Sequence, residues 1–154
     1  MPPDPTYKIP ESVLVVIHTP DLLVLLLERA RHPGYWQSVT GSRATPEENF
    51  ADTAVREVAE ETGIDATRYP FRDWQVTNRF EIFTRWRHRY APGVTHNTEH
   101  VFGLTVPEPL AVRVAADEHV ASKWLSWTDA AELTFSWSNR DAILLLPEQF
   151  KNNS

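Results

Sequence analysis

The segment from Gly41 to Ile64 constrains the fold most strongly, because it predicts an amphipathic helix with a narrow stripe of negative charge. It reads GSRATPEENFADTAVREVAEETGI. Glu57, Glu60 and Glu61 stand at positions i, i+3 and i+4, which are neighbours on a helix surface. Like charges at this spacing repel by roughly 0.2 to 0.5 kcal/mol per pair, and a bound divalent cation would remove that repulsion. We therefore interpret the stripe as half of a metal site.

Both ends of this helix carry recognisable signals. Thr45-Pro46-Glu47-Glu48 has the pattern of a capping box, with Thr45 as the N-cap, Pro46 at N1 and Glu48 at N3. Gly63 is expected to end the helix. The predicted buried side consists of Ala51, Ala54, Val55, Val58 and Thr62. On charge alone, the alternative is a solvated surface helix in which Arg56 pairs with Glu60.

The same segment resembles the Nudix box, the signature of the Nudix hydrolases, written G-x5-E-x7-R-E-U-x-E-E-x-G-U with U a bulky aliphatic residue. The matching residues are Gly41, Glu48, Arg56, Glu57, Val58, Glu60, Glu61, Gly63 and Ile64. The chain departs from the pattern at one point, since six residues rather than five separate Gly41 from Glu48. Nudix hydrolases cleave a nucleoside diphosphate linked to another group, and the resemblance implies the same phosphoanhydride chemistry here.

The resemblance also implies a role for each charged residue. Glu57, Glu60 and Glu61 are expected to hold Mg²⁺, for which Mn²⁺ could substitute, while Arg56 orients a glutamate through a bidentate ion pair. Glu118 is expected to add a carboxylate to the metal site, although its polar surroundings alone predict only an exposed residue. The group that accepts the proton of the attacking water varies within this family, so Glu61 and Glu118 both stay as candidates.

Blocks outside the box narrow the resemblance to one branch of the family, the bacterial enzymes of folate biosynthesis that act on dihydroneopterin triphosphate. These blocks are Tyr7-Lys8, WQSVTGS at 36–42, FEIF at 80–83, RHRYAPGVT at 87–95, NTE at 97–99, EH at 118–119, KWL at 123–125 and SWSNR at 136–140. The resemblance implies a substrate pocket lined by Lys8, Arg29, Thr40, Phe80, Glu81, Ile82, Phe83 and Ser136. From the residues alone, these positions are also typical of solvated strand ends, core aromatics and a turn.

Three hypotheses about function follow. The resemblance favours Mg²⁺-dependent hydrolysis of 7,8-dihydroneopterin triphosphate to the monophosphate and pyrophosphate. The nearest alternative is a MutT-type pyrophosphohydrolase of dNTPs such as dATP, with the same metal site and a different base pocket. A non-catalytic Nudix-fold binding module is less favoured, because such modules often lose glutamates of the box and all of them are present here.

Apolar runs and breaks along the chain predict the remaining elements. Ser12 to His18 and Leu22 to Glu28 are expected to be buried strands, and Trp74 to Phe83, Phe83 to Tyr90 and Val101 to Val106 to be extended. Ser138 is expected to cap a final helix that continues to Leu146 and is stopped by Pro147. Strands mixed with helices predict an α/β fold, and the resemblance implies the Nudix fold, an α/β/α sandwich with a mixed sheet, as a single domain over residues 1–154.

A cluster of cations lies in the segment Arg85-Trp86-Arg87-His88-Arg89-Tyr90. In an extended strand, Arg85, Arg87 and Arg89 would share one face. These arginines could face a triphosphate or a partner subunit, and the alternative is an exposed sheet edge kept soluble by charge.

Composition limits the partners and the compartment. The net charge of −6 argues against a nucleic-acid partner, and the absence of cysteine excludes disulfides and thiolate metal sites. None of the six histidines is assigned to a metal. Residues 1–6 do not resemble a signal peptide, and the apolar run Val13 to Ile17 is too short to span a bilayer. We expect a cytoplasmic protein with a small-molecule triphosphate substrate and no membrane partner, and the oligomeric state stays open.

Overall fold

The computed structural model describes residues 7–151, so the expectation about a signal peptide in residues 1–6 lies outside the described residues. The strands are β1 (Glu11–His18), β2 (Leu23–Arg29), β3 (Trp36–Gln37), β4 (Val39–Ser42), β5 (Phe71–Glu81), β6 (His96–Thr105) and β7 (His119–Ser126). The helices are α1 (Phe50–Thr62), α2 (Trp127–Leu133), α3 (Trp137–Leu144) and α4 (Leu146–Lys151), with short 3₁₀ turns at Ala66–Arg68 and Thr84–Arg89. Within residues 7–151, no helix is long and apolar enough to cross a membrane.

The strands form one mixed seven-stranded sheet with helices on both faces. Its order is β3-β2-β1-β6-β5, with β4 also pairing with β1 and β7 with β2. β1 runs parallel to β6 and antiparallel to β2 and β4. The continuous apolar sequence of β1 is explained by this position, because residues at a sheet centre are buried on both faces. The predicted α/β/α sandwich with a mixed sheet is confirmed.

Alternate residues of β1 enter two separate cores. Val13 and Val15 pack on the face covered by Ala54 and Val58 of α1. Leu14 packs on the opposite face, in the core that contains Ala130 of α2 and Ile143 of α3. The sheet therefore fixes α1, which carries the glutamate stripe, against the same central strand that holds the rest of the fold together.

The start of α1 differs from the prediction. Asn49, not Thr45, is the N-cap, because its side chain accepts a hydrogen bond of 2.7 Å from the Asp52 N–H. Thr45 instead closes a turn by accepting from the Glu48 N–H at 3.2 Å. Ala51 is exposed and does not belong to the buried side. The predicted end is confirmed, because Gly63 has a φ of 77° and caps the helix in the left-handed region.

The prediction of an extended segment from Phe83 to Tyr90 is wrong. β5 stops at Glu81, opposite His96 at the start of β6, and within residues 7–151 the segment from Phe83 to Tyr90 pairs only through an isolated bridge between Lys8 and Tyr90. Thr84 to Arg89 form a 3₁₀ turn, in which the Trp86 N–H donates to the Phe83 carbonyl at 2.8 Å. The three arginines therefore do not share a strand face.

The end of the chain also differs from the prediction. Ser136, rather than Ser138, caps α3 by accepting from the Asn139 N–H at 3.2 Å, and Ser138 is buried within the helix. Pro147 lies at the second position of α4 instead of stopping the helix, because proline is tolerated in a first turn. The predicted helix is thus divided at Leu145, and α2 was not predicted at all.

Buried polar groups lie beside β1 on the face that carries α3. Glu99 is only 4% exposed, and burial raises its pKa to about 7 although Ser138 hydrogen-bonds to it. Its register partner on β1 is Ser12, which accepts a hydrogen bond of 2.7 Å from the Asn97 side chain. Glu99 Oε1 and Asn97 Oδ1 have no hydrogen-bond partner among the described residues. This face of the sheet therefore favours a neutral Glu99.

We expect Glu99→Gln to reduce the pH dependence of stability. The folded-state pKa of about 7 exceeds the ordinary value of 4.5, so the stabilisation is complete below that ordinary value and is lost as the pH rises through 7. Between pH 5 and pH 8 the wild type should lose about 2 to 3 kcal/mol of unfolding free energy that the variant does not lose. Urea unfolding at both pH values measures this difference. Glu132→Gln, at an exposed position of α2, is the control, and parallel pH profiles for wild type and Glu99→Gln would contradict the assignment.

Candidate active site

Charged residues of both signs line one cleft with a volume of about 790 Å³. Its carboxylates are Glu57 and Glu61 of α1 together with Asp117 and Glu118, which precede β7. Its cations are Lys8, Arg29, Arg31, Arg85 and Arg89. The floor includes Thr40 and Gly41 of β4. Six separate parts of the chain thus line one cleft beside the glutamates of α1.

Arg56 connects α1 to the loop that precedes it. Its Nε and Nη2 atoms donate to the two carboxylate oxygens of Glu48, both at 3.0 Å, which makes a bidentate pair. Nη1 donates to Glu57 at 2.8 Å, and Nη2 also donates to the Ser42 carbonyl at 3.1 Å. Hydrogen bonding from Arg56 lowers the pKa of Glu48 to about 2. One guanidinium therefore fixes the loop and one glutamate of the stripe.

The loop absorbs its additional residue without moving Glu48 away from the helix. Glu48 accepts from the Ala44 N–H at 2.9 Å and from the Thr53 hydroxyl at 2.7 Å, in addition to the bonds from Arg56. Arg43 closes the loop from its other side by donating to the Pro46 carbonyl at 2.6 Å. The departure from the family spacing is thus confined to a turn.

Glu57 and Glu61 are carboxylates in an environment that disfavours their charge. Burial raises the pKa of Glu57 to about 7, partly offset by Arg56. Glu61 is 2% exposed, and burial together with the neighbouring Glu57 and Glu118 raises its pKa well above the usual range. Its Oε2 atom has no hydrogen-bond partner among the described residues. Additional positive charge beside these carboxylates would stabilise their ionised forms, so these residues fit a divalent cation.

His119 is a site residue that the sequence analysis did not identify. Ligand atoms of Glu61, Glu118 and His119 all lie within 4.8 Å of one another, a group that could hold a metal ion. His119 is 3% exposed, and burial, followed by the charge of Arg29, lowers its pKa to about 4. Its sequence signals were its position next to Glu118 and its place in the EH block at 118–119.

The cations of the cleft repel one another. Lys8 has a pKa lowered to about 8 by burial, then by Arg89 and Arg29. Its backbone N–H donates to the Arg89 carbonyl at 2.9 Å, which brings the N-terminal segment to the 3₁₀ turn. Arg29 lies over the ring of Trp86, with its guanidinium carbon 4.8 Å from the ring centroid. This arrangement would be stabilised by an anion with several charges.

A second cavity, of about 470 Å³, opens beside the cleft and has aromatic walls. It is lined by Tyr35, Phe83, Thr84, Arg85 and Phe135. Tyr35 stacks on Phe135 with a centroid distance of 4.8 Å. Arg85 lines both cavities and lies over Phe83 at 5.2 Å. We refer to this second cavity as the aromatic pocket.

The structure brings together only part of the predicted site. The predicted residues that line the cleft are Lys8, Arg29, Thr40, Glu57, Glu61 and Glu118. Phe83 lines the aromatic pocket, where Tyr35 and Phe135 were not predicted. The predicted residues that line neither cavity, among the described part of the chain, are Arg56, Glu60, Phe80, Glu81, Ile82 and Ser136.

These six residues have other contacts. Glu60 is exposed and pairs with Arg56 at 3.4 Å, Glu81 pairs with Arg87, and Ile82 is buried with 4% exposure. Phe80 is half-buried on β5, and Ser136 caps α3. Glu60 nevertheless lies one position before Glu61 on α1, so a ligand could still recruit its exposed carboxylate.

Both the sequence and the fold of the chain are similar to those of known proteins. The NUDIX domain family matches residues 8–146. The chain is 49% identical over 154 residues to dihydroneopterin triphosphate diphosphatase of Escherichia coli strain K12, covering 98% of each chain. It is 39% identical over 140 residues to the Haemophilus influenzae protein of the same name, covering 89% of this chain and 87% of that protein. The solved structure of the E. coli dihydroneopterin triphosphate pyrophosphohydrolase has a TM-score of 0.85 at 49% identity, over 97% of this chain and 99% of that chain.

We expect Gly41→Ala to disable the site without unfolding the protein. An added Cβ would overlap the carboxyl group of Glu57, and this side chain would have to leave its place beside Arg56. Divalent-metal affinity should fall at least about tenfold, as for other disturbed metal ligands, while the melting temperature changes little. Isothermal titration with Mn²⁺ and thermal unfolding measure the two effects. Gly103→Ala is the matched control, because its Cβ would overlap the indole of buried Trp74 and should lower stability instead.

Proposed function

The chain belongs to the NUDIX family, and on that premise we propose that it hydrolyses 7,8-dihydroneopterin triphosphate to dihydroneopterin monophosphate and pyrophosphate. The reaction class is that of a NUDIX phosphoanhydride hydrolase. The substrate is inferred from the names of the two relatives described above. Both relatives match this chain over most of its length.

One observation carries the proposal, namely that buried carboxylates and crowded cations share a single cleft. Burial raises the pKa of Glu57 and Glu61, whereas burial and neighbouring arginines lower the pKa of Lys8. A cation near the glutamates and phosphate oxygens near Lys8 and Arg29 would relieve both effects. A Mg²⁺-bound triphosphate has this distribution of charge.

We assign Glu57, Glu60, Glu61 and Glu118 to the metal, with Mg²⁺ as the ion and Mn²⁺ as its substitute. Oxygen donors and accompanying phosphates are the ligands that Mg²⁺ prefers. When bound, the ion supplies charge neutralisation at the phosphates and an activated water. Glu60, which is exposed like Glu118, would turn from Arg56 toward the ion.

The protein's own residues would position the reactants. Arg56 holds the carboxylate of Glu57 in one orientation, because it is itself fixed by Glu48 and the Ser42 carbonyl. Lys8 and Arg29 would bind the phosphate chain and counter its charge. We assign proton acceptance from the attacking water to Glu61 or Glu118, of which Glu61 is buried and Glu118 exposed.

The aromatic pocket would receive the pterin ring. Phe83, Tyr35 and Phe135 line this pocket, and aromatic side chains can contact a flat heterocycle by stacking or edge to face. Arg85 lines both cavities, so it would lie between the ring and the phosphates. A dNTP is the alternative substrate, since a purine can stack in the same way. The intact glutamates of the box argue against a non-catalytic binding module.

Pyrophosphate release from dihydroneopterin triphosphate and from each dNTP, measured side by side with and without Mg²⁺, tests the substrate. We expect fast, metal-dependent release from the pterin substrate and slow release from every dNTP. Glu57→Gln should lower turnover by orders of magnitude in both cases, because it removes a metal ligand. Glu132→Gln, at an exposed position of α2, is the matched control.

Two results would contradict parts of this proposal separately. Preference for a dNTP would refute the pterin assignment and leave the hydrolase chemistry intact. Binding of substrate without turnover, measured by titration calorimetry, would favour the binding module.

We expect Phe135→Leu to lower kcat/KM for dihydroneopterin triphosphate about tenfold or more, because one stacking surface is worth roughly 1 to 3 kcal/mol. Hydrolysis of a triphosphate ester without a ring should change little, since the metal cleft is untouched. Steady-state kinetics on both substrates measure this selectivity. Trp137→Leu is the control, because Trp137 is a neighbouring aromatic that is 46% exposed and does not line the aromatic pocket. Equal losses on both substrates would refute the placement of the ring.

A further inference from the structure

A buried nitrogen faces the carboxylates of the cleft. His119 Nε2 lies 3.6 Å from Glu61 Oε1, too far for a hydrogen bond, and the two side chains are only 3% and 2% exposed. Ligand atoms of both residues also lie within 4.8 Å of one from Glu118. Glu61 Oε2 has no hydrogen-bond partner among the described residues. The buried nitrogen and the buried carboxylate therefore lie close together without a direct hydrogen bond between them.

The hydrogen bonds around His119 determine which atom faces the cleft. Arg29 donates to Gln37 Oε1 at 3.3 Å, which leaves the Gln37 amide nitrogen facing His119 Nε2 at 3.3 Å. An amide nitrogen can only donate, so Nε2 must present its lone pair and the proton must lie on Nδ1. The ring is therefore in the tautomer that can bind a metal through Nε2, and its Nδ1 atom has no hydrogen-bond partner among the described residues.

The distances are close to those of a coordination sphere. When oxygen and nitrogen ligands each lie about 2.1 Å from an ion, adjacent ligand atoms are roughly 3 to 3.5 Å apart and opposite ones about 4.2 Å apart. The 3.6 Å between His119 and Glu61 fits adjacent ligands after a small contraction. The ion would replace the Gln37 N–H as the partner of Nε2, and the long amide contact makes that replacement easy.

We propose that His119 Nε2 is a metal ligand and forms, with Glu61 and Glu118, a mixed nitrogen and oxygen site within the cleft. An imidazole ligand shifts preference away from Mg²⁺ and toward Mn²⁺ or Co²⁺, because nitrogen donors suit transition metals better. The inference adds a ligand to the metal centre of the proposed function. It does not depend on the identity of the substrate, because the test contains none.

Pulsed electron paramagnetic resonance of the Mn²⁺-loaded protein tests the proposal directly. A coordinated imidazole gives nitrogen modulation of the Mn²⁺ echo, whereas a site made only of carboxylates and water does not. We expect ¹⁴N modulation in the wild type and its replacement by the ¹⁵N pattern in protein labelled with ¹⁵N-histidine. This comparison needs no substitution, so it cannot fail because a variant does not fold.

Substitutions then identify the histidine. His119→Gln should lose the nitrogen modulation and lower the ratio of Mn²⁺ to Mg²⁺ affinity about tenfold, as expected when one ligand of a metal site is altered. His100→Gln is the control, because His100 stacks on Phe50 and does not line the cleft. Absence of nitrogen modulation in the wild type would overturn the proposal. Modulation that persists in His119→Gln would overturn it equally, since the nitrogen would then belong to another residue. If the wild type shows the nitrogen signal but does not hydrolyse dihydroneopterin triphosphate, only the proposed substrate would be refuted.

Discussion

The geometry of the cleft depends on the guanidinium of Arg56. It is bound at once by both oxygens of Glu48, by Glu57 and by the Ser42 carbonyl. Loop, helix and strand end are thereby fixed to one planar, permanently charged group. A lysine at this position could neutralise charge but could not make the same set of bonds. The side chains that we propose as metal ligands can be preorganised because the hydrogen bonds of Arg56 are already made to protein groups.

The cleft holds buried carboxylates and crowded cations whose charges are poorly neutralised, and the surrounding fold is stable enough to tolerate them. Glu61 is buried with one oxygen unpaired, and Lys8 lies in a crowd of arginines. Burial of unpaired charge costs folding free energy, so the extensive apolar packing on both faces of β1 must offset it. A ligand with the opposite charge distribution would neutralise these groups when it binds, and this neutralisation would favour binding. A rigid sheet with a poorly neutralised edge is a reasonable physical basis for binding a metal and phosphates together.

The sequence was most informative where the determinants are local. The spacing of Glu57, Glu60 and Glu61, and the stop at Gly63, depend on a single helix and were predictable. Asn49 was missed because Thr45 offers a second capping signal a few residues earlier. Alternation in the segment after Phe83 fits an extended chain, yet within residues 7–151 Thr84 to Arg89 are not paired in the sheet and form a 3₁₀ turn. Tyr35 and Phe135 are far apart in sequence and meet only through the fold, so no local pattern could reveal the aromatic pocket. His119 could not be identified for the same reason, because its contacts with Gln37 and Glu61 join residues that are far apart in sequence.

The turn between Gly41 and Glu48 has an evolutionary consequence. Gly41 lies against Glu57 at one end, and Glu48 is tied to Arg56 at the other, so the two anchors of the loop are set by the helix and not by the loop. Residues 44–47 between them are exposed, and their hydrogen bonds join them to Arg43 and Glu48 at the two ends of the turn. Insertions and deletions here would be nearly neutral, whereas a shift by one residue inside α1 would rotate every glutamate away from the cleft. Length variation among related chains should therefore accumulate in this turn, and its length is a poor guide to whether a relative is active.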